Sequence, residues 1–176
     1  MKATIVEYSS SWQKLFEQEK ALLENPLEGI GAVIEHIGST AVVGLAAKPI
    51  IDIMIGLPDF FLADRLVPRV VGLGYEYIAK YEDVMPHRRY FKKMNNATAT
   101  HHIHMVEIGS EFWERHILFR NYLRENPDAA MAYASLKKSL AEREWQDGNQ
   151  YADAKTEFIK KIEGEARMRG CSVYIT

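Results

Sequence analysis

The feature that most constrains the fold is a nearly continuous apolar run, Ile50–Ile55, which contains one acidic residue, Asp52. Its isoleucines are β-branched, and β-branched residues favour strands. A strand that is apolar at almost every position is typical of a strand buried on both faces of a sheet. Burying an ionised carboxylate without a partner is costly, so we expect a cation or a metal ion beside Asp52.

The rest of the hydrophobic pattern divides the chain into a mixed first part and a helical last third. The predicted elements are, in chain order, a helix over 10–25, strands over 32–37 and 50–55, a helix over 58–71, strands over 75–80, 89–94 and 98–108, and helices over 110–125, 127–145 and 151–168. This order predicts an α+β or α/β-like fold. We expect a sheet of four or five strands that is packed by helices on one side.

Length and charge limit the classes of protein to which the chain can belong. Its 176 residues are expected to form one domain over 1–176. A formal charge of −2 argues against broad nucleic-acid binding but leaves a local basic pocket open. The longest apolar run, Ala41–Ala47, is too short to span a bilayer, and the single cysteine, Cys171, cannot form an internal disulfide. We expect a cytoplasmic protein that does not bind membranes; the oligomeric state stays open.

The segment between the first two predicted strands is the strongest candidate site. Residues 36–40 read His-Ile-Gly-Ser-Thr, and Lys48 and Asp52 follow. A Gly-Ser turn after a buried strand presents backbone N–H groups and a hydroxyl, which suit a phosphate group. Gly38 and Ser39 are therefore candidate phosphate ligands. The alternative is a structural turn with Asp52 paired to an arginine or lysine.

The predicted strand over 98–108 carries histidines that share a face. His102 and His104 lie on one face, whereas Glu107 has the opposite parity, so at most one of His104 and Glu107 faces a given cleft. We favour His104. Two histidines on one face suit a transition metal, and a hydrogen-bonded structural role is the alternative.

The stretch 87–93 interleaves cations with aromatic residues, so only one of its faces can line a pocket. Phe91 indicates that the face with Arg89 is the more enclosed one, and we expect Arg89 to contact an anionic ligand. A charged and solvated edge strand is the alternative. Arg120 and Arg124, four residues apart on a predicted helix, are expected to be exposed to solvent.

Together these motifs resemble the signature of the GrpB family. The resemblance rests on residues 36–53, Arg89-Tyr-Phe-Lys92 and His102-Ile-His104, and on the later segments 119–124, 133–137 and 151–158, so it covers nearly the whole chain. The family is placed with the nucleotidyltransferase-like fold, a mixed sheet in which a Gly-Ser turn seats a triphosphate and the next strand carries Asp-x-Asp/Glu for magnesium. The resemblance implies that Gly38 and Ser39 hold phosphates and that Asp52 binds Mg²⁺.

The sequence departs from that pattern at two positions. Val43 replaces a proline, which alters only the turn. Met54 stands where the motif has its second carboxylate, and residues two apart share a face of a strand. A thioether is a poor ligand for Mg²⁺, which prefers oxygen.

We therefore expect a nucleotidyltransferase-like protein that binds a nucleotide or another phosphate-bearing ligand, with Mg²⁺-dependent nucleotidyl transfer as the first hypothesis. One alternative is a nucleotide- or phosphometabolite-binding module that has lost catalysis, which Met54 favours; the other is a transition-metal site formed by histidines. The candidate catalytic residues are Asp52 and His104. The candidate phosphate- or nucleotide-binding residues are His36, Gly38, Ser39, Thr40, Lys48 and Arg89.

Overall fold

The structure, a computed structural model, describes residues 2–171 and confirms the predicted α+β class. In chain order its elements are α1 (Ser11–Glu24), β1 (Val33–Ile37), β2 (Ile51–Leu57), α2 (Ala63–Val71), β3 (Glu76–Tyr77), β4 (Arg89–Asn95), β5 (Thr98–Glu107), α3 (Glu111–Glu125), α4 (Pro127–Ala141), α5 (Gly148–Asp153) and α6 (Thr156–Met168). Within the described residues, no helix has the length and apolarity that crossing a bilayer requires. The expectation of one domain over 1–176 stays a prediction.

The strands form one mixed sheet in the order β1-β2-β5-β4-β3. Strands β2 and β5 are parallel, and the other neighbouring pairs are antiparallel. The register places Asp52 beside His102, and His102 beside Lys92 on the next strand. The adjacent row consists of Met54, His104 and Tyr90. Because paired residues point to the same side of a sheet, both rows lie on one face, which we call the site face.

Helices cover both faces of the sheet, so the prediction of helices on one side was wrong. On the face opposite the site face, Trp12 and Phe16 of α1 join Phe91 and the β2 isoleucines in one buried cluster. On the site face, Trp113 of α3 packs so closely on Gly56 that no side chain would fit there. The physical reason is β2 itself, which is apolar on both faces and would expose half of its side chains if only one face were covered.

Several predicted elements differ in their bounds from the observed ones. The helix predicted over 58–71 begins at Ala63 after a 3-10 turn, and the helix predicted over 151–168 is divided between α5 and α6. The strand predicted over 75–80 is reduced to β3, because the chain enters a 3-10 turn at Ala79–Tyr81. The helix predicted to reach Trp145 ends at Ala141. Asp147 then caps α5 by accepting hydrogen bonds from backbone N–H groups of its first turn.

A buried arginine fastens α3 to the first strand. Arg120 is 1% exposed, whereas the sequence pattern predicted a solvent-exposed side chain. Its Nη1 donates to the Glu35 carboxylate and, at 3.0 Å, to the backbone oxygen of His36. One turn further along α3, Nε of Arg124 donates to the backbone oxygen of Ala41 at 3.0 Å. The two arginines of α3 therefore fix the positions of the end of β1 and of the turn after it.

Replacing Arg120 by methionine should destabilise the protein strongly, because the Glu35 carboxylate would remain buried without its partner. We expect a loss of about 3–5 kcal/mol in the free energy of unfolding, measured by urea denaturation. Arg115→Met is the matched control, since Arg115 of the same helix pairs with Glu163 but is 37% exposed. It should cost about 1 kcal/mol. Equal losses in the two variants would contradict the structural role of Arg120.

Candidate functional site

A cleft of about 820 Å³ opens on the site face of the sheet. Asp52, His102 and His104 form its floor, and Ser39 and Thr40 contribute to its wall. The remaining walls come from the segment before β4 and from the region of α4, α5 and the start of α6. The cleft therefore joins the predicted turn with parts of the chain that are distant in sequence.

The turn after β1 has a geometry that requires glycine. Gly38 has a φ of +72°, which residues with a side chain rarely adopt. A Cβ at Gly38 would lie only 2.7 Å from Oδ2 of Asp52. The carboxylate of Asp52 thus lies directly against the backbone of the turn, and the two motifs form one wall of the cleft.

His36 supports the turn from the opposite side of the sheet and does not line the cleft. Its Nε2 lies 2.9 Å from Oγ1 of Thr40, and that hydroxyl also donates to the backbone oxygen of Ile50 at 3.3 Å. The imidazole stacks on Phe16 with 4.7 Å between the ring centres. Burial lowers the pKa of His36 to about 4, so the ring is neutral at pH 7. The geometry gives His36 a positioning role instead of the ligand contact expected from the sequence.

Asp52 faces the cleft and has a histidine as its partner. His102 Nδ1 lies 3.2 Å from Oδ1 of Asp52, whose side chain is 30% exposed. An ionised carboxylate can only accept, so the imidazole N–H donates. Burial raises the pKa of Asp52, but this hydrogen bond and the nearby histidines outweigh it and hold the pKa below its usual value. Asp52 is therefore an anion at neutral pH.

The donor set around Asp52 does not fit a magnesium centre. Within residues 2–171, no group of three or more His, Cys, Asp or Glu side chains is arranged to hold a metal ion. Met54, two residues further along β2, is completely buried in the apolar contact with α3. Mg²⁺ prefers several oxygen ligands, and two-metal catalysis requires carboxylates that converge on both ions. A lone carboxylate beside an imidazole does not provide them.

His104 faces the cleft, and Glu107 does not. Glu107 lies on the opposite face, where its carboxylate accepts a hydrogen bond from the backbone N–H of Phe60 at 3.0 Å. His104 Nδ1 lies 3.3 Å from Nη1 of Arg88, and a guanidinium can only donate. The proton of the neutral ring is therefore on Nε2. Burial lowers the pKa of His104 to about 3, so its imidazole has no charge at pH 7.

Five cationic side chains dominate the chemistry of the cleft. They are Lys48, Arg88, Lys92, Lys137 and Lys155, against which only two carboxylates line the cleft, those of Asp52 and Asp153. None of the ion pairs in the described part of the chain includes any of these five cations. A protein with an overall charge of −2 thus concentrates unpaired positive charge in one place.

Three of these lysines, Lys48, Lys137 and Lys155, form what we call the lysine cluster. The Nζ atoms of Lys48 and Lys155 lie 4.1 and 4.5 Å from the ring centre of Tyr151. Lys137 is buried and donates to the backbone oxygen of Ala46. Burial and the charge of Lys155 lower the pKa of Lys137 to about 7, and burial and Lys48 lower the pKa of Lys155 to about 8. The like charges disfavour one another in the free protein.

The prediction that Arg89 lines the cleft was wrong. Arg89 lies on the opposite face of β4, where its Nε pairs with Asp64 at 2.7 Å. The face with Phe91 is indeed enclosed, but it is enclosed by the hydrophobic core under α1 and α2. The other face of the same stretch supplies Arg88 and Lys92 to the cleft.

Sequence reasoning missed several side chains of the cleft. Arg88 and Lys92 belong to the stretch 87–93, whose alternation of cations and aromatic residues was recognised. The face with Arg89 was chosen as the pocket face, and these two residues lie on the other face. His102 was recognised as part of a motif, yet its contact with Asp52 was not predicted. Lys137 and Lys155 lie on the C-terminal helical region, and no local pattern marks them as cleft residues.

The contact between the turn and Asp52 can be tested with two glycine substitutions. Gly38→Ala should be clearly more destabilising than Gly44→Ala. Both positions have a positive φ, which should cost about 1 kcal/mol in each variant, but a Cβ at Gly44 meets no atom within 4 Å. At Gly38 the methyl must displace the Asp52 carboxylate, which should add about 1–3 kcal/mol. Chemical denaturation measures both losses; similar values would show that the carboxylate does not lie against the turn.

The architecture is similar to that of the nucleotidyltransferase Cid1. A structure described as showing the plasticity of Cid1 as a basis for its RNA terminal uridylyl transferase activity has a TM-score of 0.53 at 15% identity, over 80% of this chain and 42% of that one. A structure of Cid1 with the UTP analog UMPNPP has a TM-score of 0.50 at 18% identity, over 80% of this chain and 43% of that one. These likenesses show the fold, a nucleotidyltransferase-like mixed sheet packed by helices.

Closer similarity identifies the family. GrpB from Enterococcus faecalis, known as a crystal structure, has a TM-score of 0.85 and is 39% identical, over 96% of this chain and 100% of that one. The UPF0157 protein YqkA from Bacillus subtilis is 40% identical over 166 residues, which are 94% of this chain and 48% of YqkA, so the chain spans about half the length of that relative. The family model described as GrpB protein matches residues 2–165. The chain therefore belongs to the GrpB family.

Proposed function

We propose that the protein binds a phosphate-bearing small molecule, a nucleotide or a phosphorylated metabolite, in the cleft between the Gly38–Ser39 turn and the C-terminal helices. The observation that carries the proposal is the set of five cationic side chains that line the cleft without a carboxylate partner. Phosphate oxygens are strong acceptors for ammonium and guanidinium groups, and such charged hydrogen bonds are stronger than neutral ones.

The lowered pKa values of the lysine cluster support this proposal. Buried ammonium groups beside one another lose solvation and repel, so their protonated forms are disfavoured in the free protein. A bound phosphate would supply the negative charge that the cleft lacks and would favour the protonated forms. The binding free energy would then include relief of this repulsion.

The proposal assigns binding to the protein without a metal-dependent reaction. Nucleotidyl transfer remains a second candidate, which the likeness to Cid1 favours, with Asp52 and His104 as the residues expected to take part. The donor set around Asp52 does not support transfer through magnesium held there. Release of pyrophosphate from a nucleoside triphosphate that disappears in Asp52→Asn would establish this second candidate. The expected cytoplasmic location stays a prediction.

Binding should appear as a thermal shift that does not depend on magnesium. A ligand such as ATP or tripolyphosphate at a hundredfold excess over its Kd adds about 2.7 kcal/mol to the stability, which raises Tm by roughly 5–10 °C. We expect the same shift with Mg²⁺ and with EDTA. Lys155→Met should weaken binding at least about tenfold, because a charged contact to phosphate is lost.

Lys160→Met is the matched control for that substitution. Lys160 lies on α6, and its side chain is 64% exposed and away from the cleft. The Lys160→Met variant should bind ATP and tripolyphosphate with the same affinity as the unmodified protein. If neither ATP nor tripolyphosphate shifts Tm, or if Lys155→Met and Lys160→Met weaken binding equally, the cleft is not the phosphate site.

The affinity for ATP should fall as the pH rises from 7 to 9. Lys137 and Lys155, with pKa values of about 7 and about 8, lose their protons over this range, and a neutral amine attracts phosphate less. The phosphates of ATP are already mostly ionised at pH 7, so their titration opposes the trend only slightly. Calorimetry in buffers of different ionisation enthalpy should show proton uptake on binding. An affinity that is constant or rises over this range would contradict the role of the two lysines.

A further inference from the structure

We infer that the cleft has two subsites and that its ligand is a nucleotide, whose phosphates lie at the lysine cluster and whose base stacks at a ring subsite formed by Tyr81, Arg88 and Tyr90. The inference rests on the proposed function and specifies the class of ligand. It is carried by the different chemistry of the two ends of the cleft.

One end is built for several negative charges. Lys48 and Lys155 both approach the ring of Tyr151, and Lys137 lines the same end of the cleft. Tyr151 is 2% exposed, and its hydroxyl has no hydrogen-bond partner within the described residues. A buried hydroxyl without a partner is unfavourable, and a phosphate oxygen would accept a hydrogen bond from it. Three ammonium groups and one hydroxyl match a ligand with a di- or triphosphate better than a ligand with a single carboxylate.

The middle of the cleft does not suit phosphate. Asp52 is ionised and lies on the floor beside His102. A phosphate next to this carboxylate would be repelled, because the side chains around Asp52 place no cation between the two negative groups. A carboxylate does accept hydrogen bonds from hydroxyl groups. A ribose over Asp52 would meet this requirement and would leave the phosphates at the lysine cluster.

The other end presents flat groups, of which Tyr81 and Arg88 are partly exposed and Tyr90 is buried beneath them. The guanidinium of Arg88 lies 5.0 Å from the ring centre of Tyr90, and the rings of Tyr81 and Tyr90 are 6.1 Å apart. Nε of Arg88 is buried and has no hydrogen-bond partner in the described part of the chain. Tyr81 and Asn149 of α5 both line the cleft. Aromatic rings and guanidinium planes are the groups on which nucleic-acid bases stack.

The two subsites are anchored at different places across the sheet. Lys48 lies just before β2, Tyr90 belongs to β4 and Arg88 directly precedes that strand, and β5 lies between β2 and β4. Neighbouring strands are about 4.8 Å apart, so β2 and β4 are separated by about 10 Å across the sheet. A phosphorylated metabolite without a ring would fill the lysine cluster and leave the ring subsite in contact with water.

The test compares ATP with tripolyphosphate, which carries the phosphates without the base. We expect calorimetry to give ATP a Kd at least about tenfold lower than that of tripolyphosphate, since stacking of one base adds that much. Tyr81→Ala should remove most of this preference and leave the Kd of tripolyphosphate unchanged. Tyr81→Phe, which keeps the ring but loses the hydroxyl, should retain the preference. Lys155→Met should weaken both ligands.

The unchanged affinity of Tyr81→Ala for tripolyphosphate also shows that this variant is folded. Equal Kd values for ATP and tripolyphosphate, with no effect of Tyr81→Ala on either, would overturn the ring subsite while leaving the proposed phosphate binding intact. A preference for ATP that survives in Tyr81→Ala would place the base elsewhere and overturn the inference as well. If neither compound binds, the proposed function fails together with the inference.

Discussion

The buried guanidinium of Arg120 links the core of the molecule to its cleft. It donates to the Glu35 carboxylate and to the backbone of His36, and so it fixes the last residues of β1 against α3. A buried ion pair contributes little net free energy compared with apolar side chains of the same volume, but it requires its partners in one arrangement. We interpret this contact as the constraint that sets the position of the turn. The closeness of Gly38 to Asp52, and the wall of the cleft that they form, depend on that position.

The cleft combines this rigid wall with charge that the protein leaves uncompensated. Elsewhere Lys93 pairs with Glu19 and Arg89 pairs with Asp64, so the fold does provide carboxylates for its cations. At the lysine cluster it provides none within ion-pair distance in the described residues. Burial then lowers the pKa values of Lys137 and Lys155 toward neutrality. Such an arrangement is unfavourable in the free protein and becomes favourable with an anion, which is why it points to a ligand.

Asp52 illustrates how a shared fold can carry different chemistry. The sequence resemblance implied that Asp52 is a metal-binding carboxylate of the nucleotidyltransferase-like fold, but its neighbours are Met54 on the same strand and His102 on the next. Met54 is used for packing against α3, and the hydrogen bond from His102 satisfies the carboxylate. The fold therefore keeps the acid beside the turn, while the side chains around it in the described part of the chain do not offer the oxygen ligands of a metal pair, which agrees with the proposed binding of an organic phosphate.

The sequence by itself determined the local parts of this protein. The apolar run 50–55 required a central strand, Gly38 required a turn, and the parity of the strand placed His104 and Glu107 on opposite faces. Tertiary structure decided which face of β4 meets the cleft: Phe91 marked an enclosed face, but periodicity cannot distinguish a hydrophobic core from a ligand cavity. It also brought Lys137 and Lys155 to the turn from helices about a hundred residues away. No local pattern encodes that contact, because helix packing, and not chain proximity, creates it.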